Sequence, residues 1–289
     1  MIAQRDLSII SNKLLEETGG RRIPEQSIEL DYALGWFLAK LSQHPYGDRL
    51  AFKGGTALRR CHLGEYRFSE DLDFTLLNED DFDTVTRAFG EVAASVTEET
   101  GMAFAYQRPD RNPHENSHTF YMTFTGPMGR AREFKVDVTR TESIVAELER
   151  RPVIVTYPAY DFPANCAVKV YGIDEIVAEK LLALTDPKRT QPRDLFDVWT
   201  LATNGDFGLD RLAYAIAQKL QIRGRGAEDL STAFDKKEKA LEKTWSTRLD
   251  AQMSTTPKFE GVFREVRAAL RKARLFDLVL DARRALDRS

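Results

Sequence analysis

Asp71 and Asp73 stand one residue apart in Glu70-Asp-Leu-Asp-Phe-Thr-Leu76. Leu72 and Phe74 alternate with them, so the stretch reads as a strand, and residues two apart on a strand point the same way. Both carboxylates therefore face one side. They repel unless a cation lies between them, and Mg²⁺ takes hard oxygen ligands and keeps phosphate oxygens in its shell. Just upstream, a strand from Leu50 to Lys53 runs into Gly54-Gly55-Thr56. The glycines permit a sharp turn and a close approach of backbone to ligand. Thr56 is expected at the start of a helix, where free N–H groups and the helix dipole favour an anion such as phosphate. Gly-Gly-Thr alone is usually an ordinary turn, and Asp-x-Asp alone is common on solvated strands. Their close succession points to a site for a nucleoside triphosphate.

Other elements must hold this pair in place. Residues 4–17 read as a helix ended by Gly19-Gly20, and Pro24-Glu25 opens a second helix to about Ser42. After Asp73, the acidic run Asn78–Asp83 reads as the N-terminus of a helix reaching about Glu99, ended by Gly101. A strand over 102–107 and a polar, proline-marked loop follow. His114 and His118 have the spacing of a helical metal pair, but the loop composition argues against a helix there. Residues 118–125 and 131–140 read as an antiparallel hairpin around Gly126-Pro-Met-Gly129. In its second strand Phe134, Val136 and Val138 face one side; Lys135, Asp137 and Thr139 face the other. Asp137 is thus a candidate third metal carboxylate, against the alternative of a solvated strand face. A short strand is expected over 152–156, followed by an irregular linker from Tyr157 to Pro163.

The C-terminal part is helical in pattern. Residues 174–185 form a helix with Asp174 as its expected N-cap. Lys180 falls within the apolar stripe of Ile176, Val177, Leu181 and Leu184, so it needs an anionic partner unless it snorkels to water. Next, a basic loop with Lys188, Arg189 and Arg193 enters a helix at Pro192. Asp194 and Asp197 share a face of that helix with Val198 and Leu201. Asp194 reads either as a first-turn acid or as a functional one, and the choice between Asp194 and Asp197 stays open. Further helices are expected near 208–221, 227–250 and 258–286. The basic clusters at Lys219, Arg223 and Arg225, and at Arg264, Arg267, Arg271, Lys272 and Arg274, read as solvated faces.

Bulk properties set the class. With 289 residues, two domains are expected: a core over 1–160 with its N-terminal helices, and a mostly helical domain over 161–289. The 42% hydrophobic and 30% charged content fits a globular chain. No apolar run reaches membrane-span length, and the N-terminus lacks the apolar stretch of a signal peptide. Cys61 and Cys166 fit reduced thiols in a cytoplasm, with no disulfide framework. A net charge of −3 argues against a globally basic nucleic-acid binder, though not against a local basic face.

Lys53-Gly-Gly-Thr-Ala-Leu58 followed by Arg67-Phe-Ser-Glu-Asp-Leu-Asp-Phe74 closely resembles the AbiEii/AbiGii (MenT-like) nucleotidyltransferase toxin family, within the DNA polymerase β-like nucleotidyltransferase superfamily. The superfamily has Gly-Ser where this chain has Gly55-Thr56, so a hydroxyl is kept. The resemblance covers about residues 25–205. It implies an α/β fold: a polymerase-β-like core with a small mixed sheet, followed by a helical C-terminal domain. It also implies a cytoplasmic, Mg²⁺-dependent toxin of a toxin–antitoxin or phage-defence pair, with a cognate antitoxin. Such a toxin transfers nucleotides from an NTP to the 3′ end of tRNA and so blocks translation. On this reading Asp71, Asp73 and Asp137 hold two Mg²⁺ ions. Gly54, Gly55, Thr56 and Lys180 hold the triphosphate, with Arg67 and Ser69 positioning it further, and Asp194 joins the site. An RNA acceptor would need basic residues away from the acidic core. Lys188, Arg189 and Arg193 are candidates, as are Arg264, Arg267, Arg271 and Arg274, whose spacing puts them on one helical stripe. Two other classes remain open at this point: a non-catalytic nucleotide-binding regulator, and a metal-dependent glycosyltransferase, which also uses Asp-x-Asp.

Overall fold

The computed structural model describes residues 1–154, 157, 162–203 and 207–288. It divides into two units. The first comprises Met1–Glu142, Leu148–Tyr171 and Ala251–Thr255; the second comprises Ser143–Glu147, Gly172–Asp250 and Thr256–Ser289. The main division thus lies at Tyr171–Gly172 and not near residue 160, because one more strand joins the first unit's sheet.

That sheet has seven strands: β1 (Leu50–Lys53), β2 (Leu72–Leu76), β3 (Ala103–Pro109), β4 (Ser117–Thr125), β5 (Ala131–Thr139), β6 (Leu148–Pro152) and β7 (Ala167–Tyr171). Their order is β3-β4-β5-β2-β1-β7-β6. The sheet is mixed: β2 runs parallel to β5 and β1 parallel to β7, while the β1–β2, β3–β4, β4–β5 and β6–β7 pairs are antiparallel. The β4–β5 hairpin forms as its turn chemistry predicts, with Gly129 at φ +68°. The strand expected over 152–156 ends at Pro152; residues 155 and 156 lie outside the described residues, as do 158–161 of the expected linker. Leu-Glu-Arg-Arg-Pro lacks an apolar alternation, so β6 is defined by its pairing with β7 and not by its own pattern.

Among the described residues, the α-helices that accompany the sheet are α1 (Gln4–Thr18), α2 (Glu25–Gln43), α3 (Gly54–Ala57) and α4 (Phe82–Thr100). The acidic run before α4 is a helix start, since the Asp81 carboxylate accepts from the Thr84 N–H at 2.7 Å. Phe52, Phe74, Val136 and Val138 of β1, β2 and β5 are fully buried with Phe37 of α2, Phe89 of α4 and Phe120 of β4. Ring centroids stand 5.1 Å apart for Phe52–Phe74, 5.7 Å for Phe74–Phe89 and 5.3 Å for Phe89–Phe120. Burying each such ring is worth about 1.5–3 kcal/mol, so this face of the sheet is committed to the core. The alternate residues of β2 and β5 must face the other way.

Helix α2 is buried on almost every side, and it carries Asp31 into the interior. The Asp31 carboxylate accepts from Arg59 Nε at 2.8 Å and Nη2 at 3.1 Å, pairs with Arg60 Nη2 at 2.8 Å, and accepts from the Tyr157 hydroxyl at 2.7 Å. Arg59 and Arg60 lie on a π-helical turn, Leu58–Leu63, that continues directly from α3. Arg59 also donates to the carbonyls of Gly64 and Tyr66 and lies 4.1 Å over the Phe68 ring.

The second unit is helical: α5 (Ile173–Leu184), α6 (Pro192–Thr203), α7 (Ala213–Ile222), α8 (Leu230–Asp235), α9 (Glu238–Leu249), α10 (Phe259–Lys272) and α11 (Leu275–Leu286). Gly172, not Asp174, is the N-cap of α5, and Asp174 pairs instead with Arg211. The helix expected over 227–250 is two, and that expected over 258–286 is broken at Arg274, which adopts the left-handed conformation at φ +49°. Lys219 is not on a solvated face. It is fully buried, with Nζ 2.6 Å from both Glu175 and Glu179 and 2.7 Å from the Ser143 carbonyl. Arg223 pairs with Glu179 at 2.7 Å, and Arg225 donates to the Thr185 carbonyl at 2.9 Å. Among the described residues, no helix is long and apolar enough to cross a membrane.

Burial by itself would raise the Asp31 pKa, but the charges of Arg60 and Arg59 and the hydrogen bonds from Arg59 and Tyr157 hold it below the ordinary carboxylate value. A carboxyl depressed on folding stabilises the fold fully above its unfolded pKa of about 4, and that contribution is lost as pH falls through the folded value. Asp31→Asn leaves two buried guanidiniums without their counter-ion and should cost about 3–5 kcal/mol at pH 7. In urea melts, the gap between parent and variant should narrow below about pH 4. An undiminished gap at low pH would show that the carboxylate charge is not the source.

Candidate functional site

Four residues from four neighbouring strands lie in one row. Lys53 of β1 is the register partner of Asp73 of β2, Asp73 is the partner of Asp137 of β5, and Asp137 is the partner of Thr119 of β4. Directly paired residues present their side chains on the same face of a sheet. The row is on the face opposite the phenylalanine core. Asp71 precedes β2 by one residue and is half-buried, as are Asp73 and Asp137.

Asp137 is held by its neighbours. The Ser117 hydroxyl donates to its Oδ1, and the Thr119 hydroxyl donates to the same oxygen at 3.2 Å. Lys135 Nζ lies 3.9 Å from Oδ2. Lys53 donates from Nζ to the Thr139 hydroxyl at 2.8 Å and lies 5.7 Å over the Tyr171 ring. Lys53, Ser117 and Thr119 were not among the expected site residues. Lys53 carried a signal, since it ends β1 immediately before the glycine turn. Ser117 and Thr119 enter only through the β4–β5 register.

The glycine turn packs against this row. Gly54 has φ +82°, and a Cβ placed on it would collide with Asp73 Oδ2. Only glycine meets both demands. A Cβ on Gly55 would lie 2.6 Å from Arg67 Nη2 and 3.1 Å from Ser69 Oγ. Arg67 and Ser69, both buried, are thus gathered at the turn as expected. Thr56 differs from expectation. The helix begins two residues earlier, at Gly54, and the buried Thr56 hydroxyl donates to the Asp71 carbonyl at 2.5 Å. Its side chain ties the turn to the start of β2 and is not directed at a ligand.

The second unit brings together Lys180, Asp194 and Asp197. Lys180 Nζ lies 3.1 Å from Asp194 Oδ1 and 2.6 Å from Asp197 Oδ2, with all three side chains nearly or fully buried. The lysine has the anionic partner its place in the stripe demands, and both aspartates serve. Arg189 Nε reaches Asp194 Oδ2 at 3.1 Å. Burial alone would push Asp194 up; the charges of Lys180 and Arg189 more than offset this and hold it below the ordinary value. Lys188 and Arg189 are exposed and Arg193 is half-buried. The expected arginine stripe is interrupted. Arg264 and Arg271 are exposed on α10, but Arg267 pairs with Asp235 at 2.9 Å and Glu238 at 2.8 Å. Arg274 lies beyond the helix end and pairs with Asp277 at 3.5 Å.

Among the described residues, no three His, Cys, Asp or Glu side chains converge as a metal cluster, so Asp71, Asp73 and Asp137 do not form a single three-carboxylate nest. The donor chemistry of the row nevertheless fits a divalent cation. Asp73 and Asp137 are hard anionic oxygen donors on adjacent strands of one face, and a ligand's phosphates would complete the set.

The family described as "Nucleotidyl transferase AbiEii toxin, Type IV TA system" matches residues 36–272 of the chain. Two solved structures are similar to it. One is MenT4, nucleotidyltransferase toxin Rv2826c from Mycobacterium tuberculosis H37Rv, at 22% identity and TM-score 0.66, covering 96% of this chain and 92% of that one. The other is assigned as a nucleotidyltransferase from H. pylori, at 20% identity and TM-score 0.55, covering 91% of this chain and 99% of that one. At these identities both likenesses bear on the fold. No curated protein matches the chain.

Lys180→Ala removes the cation from between two buried carboxylates and should destabilise the protein by about 3–5 kcal/mol, measured by chemical denaturation. Stability within about 0.5 kcal/mol of the parent would show that the cluster contributes nothing to the fold.

Proposed function

The chain belongs to the AbiEii family of nucleotidyltransferase toxins of type IV toxin–antitoxin systems, and on that premise we propose that it transfers nucleotides from an NTP to an RNA acceptor. The acceptor we propose is the 3′ end of tRNA, with pyrophosphate released and translation blocked as the result. The observation that carries this reading is the row Lys53, Asp73, Asp137 beside the side-chain-free turn at Gly54 and Gly55.

Each part of the row has a role. Gly54 and Gly55 allow phosphate oxygens to approach the backbone N–H groups, and the guanidinium of Arg67 adds charge-assisted bonds there. Ser69 places a hydroxyl beside the same turn. Asp73 and Asp137 would hold one Mg²⁺ between them, and Asp71, which does not converge with them, would contribute to a second ion. Bound there, the metal would acidify the attacking hydroxyl and stabilise the charge of the departing pyrophosphate. Asp137 accepts the proton of the acceptor hydroxyl at Oδ2, because its Oδ1 is held by Ser117 and Thr119. Lys53 supplies a positive charge next to Asp73 and limits the repulsion between the two carboxylates. Lys180 and Asp194 remain proposed contributors to transfer on the family's pattern; their mutual pairing is a contact within the second unit. For the polyanionic acceptor, Lys188, Arg264 and Arg271 are exposed candidate cations of the second unit, and Arg189, Arg267 and Arg274 are set aside because acids of the same unit already pair with them. An antitoxin and an NTP are the remaining partners.

The test is incubation of the protein with each labelled NTP, Mg²⁺ and total RNA, followed by electrophoresis. The expected result is label in RNA of tRNA size, lost on chelation. Asp73→Asn should keep the fold and reduce labelling by at least about 100-fold, more than the usual cost of an outer-shell metal partner. Labelling by Asp73→Asn at the parent's rate, or no nucleotide incorporation by the parent, would overturn the proposal.

A further inference from the structure

Gln252 comes from a segment with no regular structure, Ala251–Thr255, that lies between two helices of the second unit in sequence yet belongs to the first. The segment is tied in by its backbone. The Phe68 N–H donates to the Gln252 carbonyl at 2.8 Å, and the Arg21 N–H donates to the Ser254 carbonyl at 2.6 Å. Gln252 itself is 5% exposed. Its amide oxygen accepts from Arg67 Nη1 at 3.0 Å, across 185 residues of sequence. A buried amide is costly unless it is paired, so this side chain is in place for its bond. The same guanidinium meets Gly55 through its other terminal nitrogen, Nη2.

We propose that Gln252 is a positioning residue for nucleotide transfer. Its side-chain oxygen and backbone carbonyl together fix Arg67 and Phe68, and so hold the Arg67 guanidinium against the bare backbone of Gly55 where the triphosphate binds. This rests on the reading of the glycine turn as the triphosphate site. The geometry explains why a neutral acceptor is used. Gln252 is a neutral acceptor, whereas a carboxylate in that place would compete with phosphate for the guanidinium. It also explains Gly55: a methyl group there would displace Nη2 of the guanidinium whose Nη1 Gln252 holds.

The experiment is steady-state kinetics of RNA labelling with NTP varied, alongside direct NTP binding to the protein and thermal melts. Gln252→Met keeps the side chain's length and the backbone bond but removes the acceptor. It should raise the NTP KM and Kd at least about fivefold, a part of the worth of one bond to a charged group, with kcat within about twofold and a lowered Tm. Gln252→Glu keeps an acceptor and adds a charge. It should hold or raise Tm and also weaken NTP binding, so it serves where the methionine variant fails to fold. In the double variant with Arg67→Ala, the effect of Gln252→Met on KM should vanish, because it acts through the arginine. A lowered Tm with unchanged KM and Kd, or effects that multiply independently in the double variant, would mean that Gln252 is a packing residue only, and the proposal would fail. If the parent protein neither binds NTP nor labels RNA, it is the reading of the site that fails, and this inference with it.

Discussion

A single buried carboxylate organises the approach to the candidate site. Asp31 is 1% exposed, and two guanidiniums and a phenol converge on it. Removing these charges from water costs several kcal/mol per ion, which only close, multiply bonded geometry can offset. The arrangement therefore tolerates few alternatives. Arg59 and Arg60 lie on the turn that leaves Gly54, so fixing them fixes where that turn goes. Arg59 then grips the carbonyls of Gly64 and Tyr66, which begin the loop ending at Asp71. Between β1 and β2 the chain is thus pinned at Arg59 and Arg60 by one acid on a neighbouring helix. The Thr56–Asp71 bond closes the same loop from the opposite side.

The second unit repeats the principle with the charges exchanged. Lys180 and Lys219 are each clamped between two carboxylates. Helix α5 contributes to both clamps: Lys180 to one, Glu175 and Glu179 to the other. Glu175 also accepts from the N–H groups of Val145 and Ala146, which draws a short outlying segment into the unit. Removing one partner of such a cluster leaves an uncompensated buried charge, which is costly.

Much of the candidate site is legible in the sequence, because the chemistry lies in local patterns. Alternation around Asp73 and Asp137 predicts which face each takes, and the parallel pairing of β2 and β5 brings those faces together. Turn residues mark the hairpin, and Gly19, Asp81 and Gly101 mark helix ends. Whatever depends on distant partners is hidden. Nothing in the pattern of α2 marks Asp31 as buried, since an acid among leucines normally turns to solvent. Arg267 carries the spacing of a basic stripe and is spent on Asp235 and Glu238. Arg274 continues a helical period in sequence but breaks it in space. Lys219 looks like one of a surface cluster and is fully buried. Thr56 has the residue type of an anion site and uses its hydroxyl on a backbone carbonyl. In each case, local propensity was overruled by a pairing that only the folded chain defines.

The bond between Arg67 and Gln252 spans 185 residues, and this has a consequence in time. Polypeptide chains are synthesised from the N-terminus at about 5–20 residues per second, so a nascent molecule makes Arg67 roughly 10 to 40 seconds before the partner that orients it. During that interval the glycine turn and the aspartate strand can exist without their full set of supports. A chain that stalls or is truncated before residue 252 never acquires them. For a nucleotidyltransferase toxin, this withholds one support of the glycine turn until the helices up to residue 250 have been made.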